Sequence, residues 1–254
     1  MFVAIWCVFI VILNSLLGAV LISPRINGGQ DAEITQFPFM ASLRELRGYN
    51  QYKHLCGSVI ISQRYLLTVA QCFSSEQVNW FGIAAGTSKK NEDVFIHRIR
   101  RVATHEKYDA FVAPFMHDIA LIELEQPLTL SERINVISLN TTFYEGHLDA
   151  VTLGFGGVYD NIAKLQSIKM KTMTNPECRS KVGKDNQVYD FGILCAYSGD
   201  VKRRIGHGDA GGPLVHQNKL IGLISWNPKV VGSDKPEGFT RISSYNEWIA
   251  KHMK

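Results

Sequence analysis

The chain of 254 residues carries 27 Lys and Arg against 23 Asp and Glu, a net charge of +4. That length fits one large domain or two packed barrels, and so slight a basic excess gives no reason to expect a nucleic-acid partner. No metal or cofactor is expected from its motifs.

Residues Phe2 to Leu13 form an unbroken apolar run, followed by Asn14 and Ser15 and then by the small residues Gly18 and Ala19. This is the pattern of a secretory signal over residues 1–19, although no Lys or Arg precedes the run. Continuing the segment through Leu16 to Ile22 reaches membrane-spanning length, which leaves an uncleaved anchor as the rival. Cleavage near Gly18 or Ala19 is expected, with residues 20–25 as a short pro-segment, a secreted product, and no membrane attachment after cleavage. Arg25-Ile26-Asn27-Gly28-Gly29 then has the look of a processing site: a basic residue, a small apolar one and a flexible glycine pair.

From Ala41 onward, short β-rich runs alternate with turn residues: His54 to Ile61, Tyr65 to Val69, Asp118 to Leu124, Ala150 to Phe155 and Leu220 to Trp226. Such runs point to an all-β barrel or sandwich rather than βαβ units. The segment Gln126 to Tyr144, with Pro127, Ser131 and Asn135, reads as a connector between two halves. Ser244-Tyr245-Asn246-Glu247 is a capping-box pattern, and Trp248, Ile249 and His252 follow helical spacing, so a short C-terminal helix is expected.

Of five cysteines, Cys7 lies in the signal, and the remaining four suit two disulfides in an oxidising compartment, with three pairings open. Asn140-Thr141-Thr142 is an acceptor pattern for N-glycosylation. Lys89-Lys90, Arg98 to Arg101 and Lys202 to Arg204 are basic runs: each is either a solvated face or a site for an anionic glycan or acidic protein. Arg44 to Lys53, with Tyr49 and Tyr52, reads as a long loop fit for a protein-binding rim.

Five motifs now stand in order: Ile26-Asn27-Gly28-Gly29, Thr68-Val69-Ala70-Gln71-Cys72, Asp118-Ile119-Ala120-Leu121, Gly208-Asp209-Ala210-Gly211-Gly212-Pro213 and Ser225-Trp226. Their order and spacing resemble those of trypsin- and chymotrypsin-like serine proteases over essentially Ile26 to Lys254. The resemblance implies two six-stranded antiparallel β-barrels, about 26–135 and about 136–254, with a cleft between them and a terminal helix. It also implies the disulfides Cys56–Cys72 and Cys178–Cys195, and a third disulfide lost together with cysteines at Gly206 and near Val230 or Val231.

The chemistry of that family needs a serine nucleophile, a histidine base and an orienting aspartate. Here Gln71 stands at the histidine position and Ala210 at the serine position, while Asp118 and its supporting Ser225 persist. The amides of Gly208 and Ala210 match the oxyanion-hole donors, and Ile26 and Asp209 match the pair that orders the site after activation. Arg204, Glu237 and Asn227 replace residues of the substrate pocket, and an Arg204–Glu237 pair filling that pocket is expected. His117, next to Asp118, is expected to point away from it.

The stretch His105-Glu106-Lys107-Tyr108-Asp109, with Phe239-Thr240-Arg241, is similar to mite group 3 allergens and the scabies mite inactivated protease paralogues. The resemblance implies a secreted, proteolytically inactive homologue that acts by binding, as a decoy or inhibitor of host proteins such as complement components. An extracellular protein is the expected partner and an anionic glycan the second. The alternative is a very weak, unorthodox hydrolase.

Overall fold

A computed structural model describes residues 29–48, 51–73, 77–90, 92–111, 115–157, 164–183, 191–200, 203, 205–227 and 235–254. Strand β1 (Gln30–Asp31) precedes six strands that close into a barrel: β2 (Met40–Arg47), β3 (Gln51–Ile60), β4 (Tyr65–Thr68), β5 (Phe81–Ala85), β6 (Ile96–Thr104) and β7 (Ala120–Leu124). Their order around the barrel is β2-β3-β4-β7-β6-β5, antiparallel throughout. After β8 (Ser138–Leu139), a second ring follows: β9 (Asp149–Gly154), β10 (Gln166–Met173), β11 (Ile193–Tyr197), β12 (Pro213–His216), β13 (Lys219–Trp226) and β14 (Glu237–Arg241). Here β10 pairs both β11 and β9, and β12 pairs β9, which closes the ring; β1 joins β10, and β8 runs parallel to β13. The chain thus forms the two six-stranded barrels expected of it.

Closure leaves each ring without a free edge and turns alternate side chains inward. In β10 this alternation is plain: Ile168, Met170 and Thr172 are buried while Lys169 and Lys171 face out. Leu43, Val59, Leu66, Ile83 and Ile122 fill the first barrel, in a core that continues into Leu153, Phe155, Leu220 and Leu223 of the second. Each such side chain contributes roughly 1.5–3 kcal/mol of burial. One apolar core therefore spans the junction and fixes the mouth between the barrels.

Three local expectations are corrected. Arg44 to Lys53 is an extension of the β2–β3 hairpin, with Glu45 opposite Lys53 and Leu46 opposite Tyr52. Arg44 turns inward, donating to the carbonyls of Lys90 (2.9 Å) and Glu92 (3.0 Å), and the Tyr49 of the expected rim lies outside the described residues. A second helix, α1 (Asn175–Val182), was not read from the sequence, and it carries a true capping box: Thr174 Oγ1 accepts from Glu177 N (3.3 Å) while Thr174 N donates to Glu177 Oε2 (2.8 Å). The C-terminal helix α2 (Asn246–His252) starts from Tyr245 without a side-chain cap, and Ser244 Oγ instead donates to the carbonyl of Phe191 (2.9 Å). Trp248 and Ile249 do pack α2 onto the first barrel, with Trp248 Nε1 donating to Glu106 (3.0 Å).

Candidate functional site

Gln71 sits in a short 3-10 turn, Ala70–Cys72, directly after β4. The Cys56–Cys72 disulfide ties this turn to β3, and Cys178–Cys195 ties α1 to β11. In the same barrel as Gln71, Asp118 lies fully buried just before β7, the strand paired with β4. Gln71 engages it twice, from its backbone N to Oδ1 (2.9 Å) and from Nε2 to Oδ2 (2.6 Å), and Nε2 also donates to the carbonyl of Ser225 (2.7 Å). Ser225 Oγ adds a third donor to the carboxylate at 2.7 Å. Both hydrogens of the Gln71 amide are thereby committed. Burial nevertheless pushes the Asp118 carboxyl up to about 6, the donors from Ser225 and Gln71 opposing the shift.

His117 does point away from Asp118, by a turn rather than by strand alternation. Its backbone is left-handed, with φ of 54°, and its ring stacks on His105 at 4.6 Å.

The loop from Gly206 to Gly212 is held from several sides. Asp209, fully buried, accepts from Gly156 N (2.7 Å) and Gly206 N (2.7 Å). Gly208 has φ of 106°, and a Cβ there would lie 2.5 Å from the Gly156 carbonyl oxygen, so only glycine fits. The Gly208 carbonyl accepts from His54 Nε2 (2.9 Å), and the Ala210 carbonyl from Gly57 N (2.7 Å).

His54 is a site residue the sequence reading missed. Since a carbonyl only accepts, Nε2 carries the ring proton, and Nδ1 accepts from Ser42 Oγ at 2.8 Å. Burial, chiefly, lowers its pKa to about 3, against the Gly208 bond that favours the proton. A neutral, buried ring clamping a backbone turn leaves little in sequence to mark it. Lys90, half of a basic run read as surface, is likewise buried and donates from Nζ to the Gly157 carbonyl (2.6 Å).

A cleft of about 490 Å³ opens between the barrels, lined by Gln71, Gly208, Ala210, Phe115, Trp226 and Asn227 among others. The altered pocket residues converge on Ile205: Glu237 Oε1 accepts from its N (2.8 Å), and Asn227 Nδ2 donates to its carbonyl (2.7 Å). Arg204, its expected partner Glu237 notwithstanding, lies outside the described residues, as does Ile26, the expected partner of Asp209. The signal and pro-segment, 1–19 and 20–25, lie outside them too. Trp226 is turned inward over Gly238, onto ground a Cβ at that position would occupy, and joins Cys178, Val182 and Cys195 in a buried cluster.

Asn140, the acceptor candidate, is only 2% exposed, and its Nδ2 donates to the Thr142 carbonyl at 2.5 Å. Among the described residues, no group of three or more His, Cys, Asp or Glu is placed to hold a metal, and no helix is long and apolar enough to cross a membrane.

Comparison with known proteins gives a consistent answer. Hypodermin-B of Hypoderma lineatum is 31% identical over 235 residues, covering 91% of this chain and 88% of that protein. Trypsin 5G1 of Aedes aegypti is 28% identical over 233 residues, with 89% and 84% covered. Among solved structures, the scabies mite inactivated protease paralogue S-D1 superposes with a TM-score of 0.77 at 23% identity, over 90% of this chain and 97% of that one, a likeness of fold. The family model described as Trypsin matches residues 26–249, and the chain therefore belongs to the trypsin family.

Proposed function

We propose that this trypsin-family chain is a secreted homologue that works by binding extracellular protein and does not cleave peptide bonds. The observation that carries the reading is the Gln71 amide, held between Asp118 and the Ser225 carbonyl where a base is required. An amide takes no proton near neutral pH, and the methyl of Ala210 offers no nucleophile. Loss of the triad as a unit costs about six orders of magnitude in turnover. Ser225 and Gln71 still satisfy Asp118, so the altered triad persists as a hydrogen-bonded strut. The scabies mite neighbour, itself described as an inactivated protease paralogue, supports the same direction through its fold. The reading extends to a decoy or inhibitor role toward host proteins such as complement components, with an anionic glycan as the second class of partner.

Residual hydrolysis has one contact in its favour, Ser42 Oγ on His54 Nδ1 at 2.8 Å. Both residues are buried, and the ring's other nitrogen is occupied by Gly208, so no substrate carbonyl reaches that hydroxyl. The test is to treat the purified secreted protein with a fluorophosphonate probe, follow peptide turnover, and identify plasma proteins that co-purify with it. No labelling, no turnover and a defined plasma partner are expected. Turnover that scales with protein concentration, or a label mapping to Ser42, overturns the reading.

A further inference from the structure

The β5–β6 face of the first barrel carries two adjoining hollows that share no lining residue with the cleft. One, about 380 Å³, is lined by Tyr52, Phe95, Ile96, His97, Arg98, Glu125 and Gln126. The other, about 450 Å³, is lined by Val78, Asn79, Phe81, Ile99 and Arg100, together with the same Tyr52, Arg98 and Glu125. Those three shared residues form the ridge between the hollows. Arg98 lies opposite Gly82 in the β5–β6 register, and Tyr52 crosses over that glycine from the β3 arm.

The charges on this ridge are unevenly spent. Arg100 and Arg101 both bond Glu123, at 2.9 Å and 3.2 Å, so two guanidinium groups share one carboxylate. Arg98 is exposed and forms no ion pair with another described residue. Phe95, edge-on to His97 at 4.9 Å, is 77% exposed at the rim. An available arginine beside the hollow rimmed by Tyr52, Phe95 and Ile96 has the composition of an interface centre.

We propose that this face docks an extended acidic peptide segment of a partner protein, one carboxylate on Arg98 and an apolar side chain two residues away in the hollow lined by Tyr52, Phe95 and Ile96. Glu125 decides between an acidic peptide and a sulfated polysaccharide. It stands at the same ridge, where it repels a dense row of sulfates but accepts from the N–H groups that a peptide brings. Because the barrel is closed, the segment engages through side chains and not by adding a strand. The site goes beyond the cleft reading above and is independent of it: peptide turnover at the cleft would refute that reading and leave this one standing.

The test uses the full secreted chain and a fluorescein-labelled probe peptide with Phe-Ser-Glu flanked by Asp, which puts Phe and Glu on one face, read by fluorescence anisotropy at low and high salt. Binding that weakens with salt is expected. A matched probe with Gln and Asn in place of the acids should bind at least about tenfold more weakly, and Arg98→Ala should weaken the acidic probe by a similar factor. Phe95→Ala, at an exposed position, gives a second variant that leaves the fold intact, and Lys169→Ala on the second barrel removes an equal charge as the control. Equal binding of both probes overturns the proposal, as does an Arg98→Ala loss no larger than that of Lys169→Ala. Capture of a heparin probe with no binding of the acidic peptide also overturns it.

Discussion

Replacing His54 with Gln should change how stability depends on pH more than it changes stability itself. In the fold the imidazole is neutral, with its pKa lowered to about 3 by burial, whereas in the unfolded chain it titrates near 6.5. The unfolded state therefore gains a proton that the folded state refuses as pH falls below 6.5, and stability drops. Between about pH 7.5 and about pH 5 this amounts to about 2 kcal/mol. Asp118 works in the opposite sense. Its folded pKa of about 6 exceeds the ordinary 3.8, so the folded state binds the extra proton and gains about 1 kcal/mol over the same interval. From these two groups the wild-type chain loses about 1 kcal/mol on acidification, while His54→Gln keeps only the Asp118 gain of about that size. At about pH 7.5 the variant starts lower by about 1–2 kcal/mol, because the amide does not reproduce both the Ser42 and Gly208 bonds. Urea unfolding at the two pH values measures the gap, which should close by about 2 kcal/mol in acid. A gap that stays constant refutes the buried, neutral histidine.

Gly208→Ala places a Cβ 2.5 Å from the Gly156 carbonyl at a φ of 106°, so a loss of about 1–3 kcal/mol is expected, read from the denaturation midpoint. Arg241 is buried and donates to the carbonyls of Phe191, Tyr144 and Ile193 and to Asn175, so Arg241→Met should cost about 3 kcal/mol or more in the same assay. Gly238→Val takes the ground under the Trp226 indole, and the expected result is a red-shifted tryptophan emission that is absent when the substitution is made in a Trp226→Phe background.

Some of this molecule was legible in its residues alone. The identities of Gln71 and Ala210 bear directly on chemistry, because no folding makes an amide basic or a methyl nucleophilic. The barrels were legible through short motifs that keep their order along the chain, and α2 through the spacing of Trp248 and Ile249. Helix α1 was equally legible from Thr174 and Glu177, whose spacing is that of a capping box.

The remainder belongs to contacts between distant segments. His54 meets Gly208 across 154 positions, and Gln71 meets the Ser225 carbonyl across the same separation. The Asn140 acceptor pattern is local, yet its accessibility is set by the packing that buries it. Arg98 was one member of a basic run until the hairpin brought Tyr52 over Gly82 and made a ridge of it. Sequence by itself determined which chemical groups this trypsin-family chain possesses and the order in which its barrels are laid down. Only the tertiary structure decided which groups are buried, paired or left facing solvent, because desolvation and hydrogen bonding act through space and not along the chain.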